Sequence, residues 1–118
     1  MNTDSEPNNY LDAEHIAELV YHDEKFIKEF AKATEHSISE FRDQYTRYLL
    51  ERDETNFRKA GHRIKPVAQM LKIDAIVDEY EHAKTLLWDE KGREELQESA
   101  DRIRRICNSI IRELKSLQ

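Results

Sequence analysis

The chain has 118 residues and a formal charge of −6, with 37 % charged and 38 % hydrophobic residues, two glycines, two prolines and one cysteine. That length allows one domain with one modest core. The acidic balance argues against general nucleic-acid binding, and no apolar run of about 18 residues is present to span a membrane, nor any signal-peptide pattern. The lone Cys107 excludes an internal disulfide and suits a reducing cytoplasm, where it reads as a packed core thiol.

Scarce Gly and Pro, with few β-branched runs, predict an all-helical chain with short loops. Residues 1–9 are polar and contain a proline, which predicts a disordered tail ahead of a single domain over 10–118. A short first helix is expected at about 12–21, opened by Asp12, with Ile16, Leu19 and Val20 on one side. Asp23 caps a second helix over 24–50 whose stripe runs Phe26/Ile27, Phe30, Thr34, Ile38, Phe41, Tyr45 and Tyr48/Leu49. Glu51-Arg52-Asp53 makes a turn, and Asp53 caps a third helix. Asp74 is expected to cap a fourth, with Ile76/Val77, Tyr80, Ala83 and Leu87 inward. After a break from Trp88 to Gly92, the last helix carries the most regular stripe: Leu96, Ala100, Ile103, Cys107, Ile110, Leu114 and Leu117. The expected architecture is an antiparallel four-helix bundle with a short additional N-terminal helix.

The third helix differs from the rest of this acidic chain. No Asp or Glu occurs between Glu54 and Asp74, while Arg58, Lys59, Arg63, Lys65 and Lys72 all do. Phe57, Ala60, Ile64, Val67 or Ala68, and Leu71 follow the spacing of a buried stripe. His62 lies about 200° around the helix from Ile64, so it should face water. Lys65 follows one turn on, within reach of the imidazole. A positive field around one exposed imidazole suits a group that carries an anion. At ~4 Å and an effective dielectric of about 20, an ammonium beside a phosphoryl group on His62 would gain roughly 4 kcal/mol before desolvation and entropy. Pro66 lacks an N–H and crowds the carbonyl of His62 four residues back, which predicts a kink or widened turn there.

His62-Arg-Ile-Lys65-Pro-Val-Ala68 followed by Leu71, with Ala60-Gly61 before it, resembles the phosphorylation-site helix of histidine phosphotransfer (HPt) domains, in their His-x-x-Lys-Pro variant. The family pattern is His-x-hydrophobic-Lys-Gly-x-Ala with a further Gly at the helix end; here Pro66 and Lys72 stand at the two glycine positions. The likeness extends to helix number, length and site position over nearly the whole chain. It implies that His62 is the phosphoacceptor of a two-component phosphorelay, relaying a phosphoryl group between receiver-domain aspartates, with Lys65 stabilising its charge. It implies further that Arg58, Lys59, Arg63, Pro66 and Gln69 meet the partner, together with an apolar contact from the first helix. That partner is a response-regulator receiver or a hybrid sensor histidine kinase, which supplies the Mg²⁺; the carrier itself is a cytoplasmic monomer with no bound cofactor. In the family a side chain on the next helix often orients the imidazole. The matching position is Lys84, which cannot accept a hydrogen bond while charged, so Glu81, one turn earlier, is expected to take that role.

Other chemistries have less behind them. Glu79-Tyr-Glu-His82 has the Glu-x-x-His spacing of di-iron bundles, but such a site needs the motif twice, and the nearest second copy, Asp12-Ala-Glu-His15, sits on a short end helix. No metal site is expected, and His15, His22, His36 and His82 read as surface residues. With no glycine-rich phosphate loop, kinase activity has no support. The alternative is a non-catalytic adaptor whose basic face binds an acidic protein, with His62 incidental.

Overall fold

A computed structural model describes residues 9–118; the N-terminal tail expected over 1–9 lies outside them except for Asn9. Five helices follow in order: α1 (Ala13–Leu19), α2 (Glu24–Leu50), α3 (Glu54–Met70), α4 (Asp74–Trp88) and α5 (Arg93–Ser116). Three begin at an aspartate whose carboxylate accepts backbone N–H groups that no helical carbonyl can reach: Asp12 from Glu14 and His15, Asp23 from Phe26, and Asp53 from Asn56. Asp74 differs from expectation. It is the first residue of α4 rather than its cap, and Ile73 in the cap position makes no side-chain bond. Its carboxylate acts only on the positive end of the helix dipole.

Short connections fold successive helices back on one another. α2 packs on α3, α3 on α4, α4 on α5, and α5 closes the ring against α2, forming the expected four-helix bundle. The core is built from the stripes: Ile38, Phe41, Tyr45 and Leu49; Phe57, Ala60, Ile64 and Ala68; Ile76, Tyr80 and Ala83; Leu96, Ile103, Cys107, Ile110 and Leu114. Burial pushes the Cys107 thiol up to about 12, in keeping with a packed core cysteine. Of the Phe26/Ile27 pair that opens the α2 stripe, Ile27 is half-buried and Phe26 is exposed. An aromatic chain crosses the core from Phe41 through Tyr45 and Phe57 to Tyr80, with ring centroids 5.5, 4.9 and 5.2 Å apart. It ties α2, α3 and α4 together, and its last ring lies under His62's neighbourhood on α3.

The first helix closes one end. Ile16 is buried, the backbone N–H groups of Tyr10 and Leu11 donate to the Glu113 carboxylate at 2.8 and 2.9 Å, and His15 Nε2 lies 2.9 Å from the Met70 carbonyl. His15 is therefore not a plain surface residue: it pins α1 to the last turn of α3.

Four helices end in the same way. His22, Asp53, Ile73 and Lys91 donate backbone N–H to Ala17, Tyr48, Ala68 and Leu86, while Tyr21, Arg52, Lys72 and Glu90 take φ of 57°, 57°, 59° and 54°. This is the Schellman ending, whose left-handed residue is usually glycine. Lys72, the position where the HPt pattern has its second glycine, is one of them. A left-handed conformation costs a residue with a Cβ about 1–2 kcal/mol. Lys72→Gly is expected to stabilise the fold by about 1 kcal/mol, raising Tm by roughly 4 °C. A melting curve that does not move, or moves down, would contradict it.

Candidate functional site

α3 presents two faces. Phe57, Ala60, Gly61, Ile64 and Ala68 are buried, and His62 stands exposed near its middle. Among the described residues, the imidazole makes no hydrogen bond or ion pair. Gly61, next to it, is under the Tyr80 ring of α4: a Cβ at that position would fall within the ring's edge atoms. The Tyr80 hydroxyl points to the Arg58 carbonyl at 3.5 Å. Close approach of α4 to α3 at the site therefore depends on glycine.

The cations around His62 are where tertiary structure departs most from expectation. Lys65 Nζ lies 2.7 Å from Glu81 Oε2, and Lys84 Nζ lies 2.9 Å from Glu81 Oε1. Both ammonium groups sit over the Tyr80 ring, 5.5 and 5.2 Å from its centroid. Hydrogen bonds from Lys65, then from Lys84, hold the Glu81 carboxyl below the usual carboxylate range. Burial, with Glu81 adding to it, pushes the Tyr80 phenol up. Glu81 thus does not orient the imidazole as expected, since both its oxygens are taken by lysines. Lys84 likewise belongs to this carboxylate.

The acid-free window along α3 is not acid-free in space. Arg63 Nη1 is 3.8 Å from Glu40 on α2, and Arg58 Nη2 is 3.4 Å from Glu54 one turn back. Lys59, Pro66 and Gln69 are exposed on the outer side of α3; hydrogen bonds from Asn56 hold the Asp53 carboxyl low, with Lys59 a lesser contributor. Pro66 does not break the helix. α3 runs as continuous α-helix through it to Met70, with no widened turn assigned, and the His62 carbonyl has no N–H at residue 66 to receive.

Sequence reasoning missed what Glu79 does. Arg102 grips its carboxylate with Nε at 2.9 Å and Nη2 at 3.1 Å, and Ser99 Oγ donates to it at 2.7 Å. The Tyr45 hydroxyl completes the network, 2.7 Å from Ser99 Oγ and 3.1 Å from the Glu79 carbonyl. The glutamate that heads the Glu-x-x-His spacing is thus a structural anchor between α4 and α5. Among the described residues no group of three metal-ligating side chains comes together.

The fold defines an all-helical bundle carrying an exposed histidine on its third helix, and no described helix is long and apolar enough to cross a membrane. No protein-family model, curated protein or solved structure matches the chain.

Proposed function

We propose that this chain is a phosphocarrier of the HPt type, passing a phosphoryl group between receiver-domain aspartates through His62 in the cytoplasm. The observation that carries this reading is the placement of His62. It is exposed at mid-helix on α3, and one turn further along, the Glu81 carboxylate of α4 is bracketed by the ammonium groups of Lys65 on α3 and Lys84 on α4. The resemblance of His62-Arg-Ile-Lys65-Pro-Val-Ala68 to the HPt site helix supports it.

The step asks little of the carrier beyond placement and charge. The lone pair of Nε2, the nitrogen remote from the backbone, attacks phosphorus of the partner's aspartyl phosphate. The P–O bond to the aspartate breaks, and its electron pair leaves on the carboxylate while the other imidazole nitrogen keeps its proton. The return step reverses these movements onto a second aspartate. Mg²⁺ is held by the receiver. Lys59, Pro66 and Gln69 present the outer surface of α3 to it, and Arg58 and Arg63 can add charge by exchanging their present acidic partners for the receiver's. That charge speeds encounter at low salt.

Incubation with phosphorylated receiver tests the reading. The native chain should take up label in an acid-labile, base-stable form, and His62→Gln should take up none while still folding. A chain that binds receiver equally in both forms and is labelled in neither is an adaptor, which would overturn the proposal.

A further inference from the structure

The Lys65–Glu81–Lys84 cluster has a charge imbalance built into it. One carboxylate stands between two ammonium groups, each at hydrogen-bond distance from a different oxygen. Both ammonium groups lie over the ring of Tyr80, which is 1 % exposed and is lodged against Gly61. The two lysines are thereby held as a pair over a buried ring, Lys65 one turn along α3 from His62 and Lys84 on α4. A singly charged acid leaves that pair one negative charge short. Glu81 is nonetheless an occupant that can be displaced. Its side chain is 44 % exposed and those of the lysines about a third, and ion pairs this open to water are worth no more than about a factor of five in equilibrium. Lysine's flexible stem allows its ammonium group to change partner without moving the backbone.

We infer that Lys65 and Lys84 form a two-ammonium site for a dianionic phosphoryl group, that Glu81 occupies it at rest, and that the group on His62 displaces Glu81 on phosphorylation. This rests on the reading of His62 as phosphoacceptor. Glu81 then acts as a built-in competitor. Each lysine recruited to the phosphoryl group is taken from the carboxylate, so the phosphorylated state is held less tightly than two free lysines would hold it. A carrier that must give its group up again benefits from that restraint. Lys84, rather than orienting the imidazole, becomes a second charge partner beside Lys65.

Two measurements on the full chain separate this inference from the reading beneath it. In the first, His62 is phosphorylated with phosphoramidate, a small donor that needs no partner protein, while NMR follows the Lys65 and Lys84 ε-methylene and Glu81 carboxylate signals. Phosphorylation should move all three, with Glu81 shifting toward the position of an unpaired carboxylate. Phosphorylation that leaves them in place overturns the inference and spares the phosphocarrier reading. In the second, inorganic phosphate is titrated into the native chain, Glu81→Gln, and Glu81→Gln with Lys84→Ala. Glu81→Gln should bind phosphate about three- to tenfold more tightly than the native chain, and the added Lys84→Ala should abolish the gain. If His62 takes no label yet this pattern holds, the anion site stands and the phosphocarrier reading falls. Equal phosphate binding by all three proteins overturns the site.

Discussion

Gly61→Ala should destabilise the protein by about 2 kcal/mol, although alanine is the better helix former by about 1 kcal/mol. The added methyl group would fall among the Cε and Cζ atoms of Tyr80. That ring cannot easily give way. It packs against Phe57 at 5.2 Å, is covered by two lysines, and is almost wholly buried. Either the ring leaves its place or α3 and α4 separate, and both disturb the floor beside His62. The expected loss is a drop in Tm of about 8 °C. The sign depends on the ring, which makes the cause testable. In a Tyr80→Leu background the atoms beyond Cδ are gone, and the same Gly61→Ala change should become neutral or stabilising by up to about 1 kcal/mol. A loss of equal size in both backgrounds would show that Tyr80 is not the obstacle.

Arg102→Met should cost a further large fraction of the stability, about 2 kcal/mol. The Glu79 side chain is only 11 % exposed, and Arg102 supplies two of its hydrogen bonds. Removing the guanidinium leaves a mostly dehydrated carboxylate with the Ser99 hydroxyl alone. Breaking a buried pair in this way costs about 3–5 kcal/mol, a figure reduced here because the Arg102 side chain is 38 % exposed and water can move in. The Tyr45 phenol cannot help by ionising: burial pushes its pKa up, and it stays a neutral hydroxyl. Combining Arg102→Met with Glu79→Gln should recover more than half of the loss, since the stranded charge is then gone. Urea midpoints at unchanged slope would measure this; a double variant as unstable as the sum of the singles would contradict it.

Much of the fold was legible because it is specified by neighbours in the chain. Asp12, Asp23 and Asp53 mark helix starts through bonds to N–H groups two or three residues on. The stripes from Phe57 to Ala68 and from Leu96 to Leu114 are buried as their spacing requires. The exposure of His62 follows from Ile64 being inside. The first helix was less legible. It stops at Leu19 because Tyr21 and His22 adopt left-handed backbone with φ of 57° and 58°, which no residue type there announces.

The surroundings of the candidate site were not legible, and for a common reason. Glu40, Tyr80 and Glu81 reach α3 from other helices, 16 or more residues away in sequence from the residues they touch, and their effect depends on distances that helix packing sets. Along the chain, the window around His62 holds cations and no acid. In the bundle, Arg63 faces Glu40 and Lys65 faces Glu81. Periodicity and capping, being local, determined by themselves the helices, their inward faces and which side of α3 bears the histidine. Only the packing of α2 and α4 against α3 decided which charges stay unpaired beside it, because electrostatic partnership falls with distance in space and takes no account of separation in sequence.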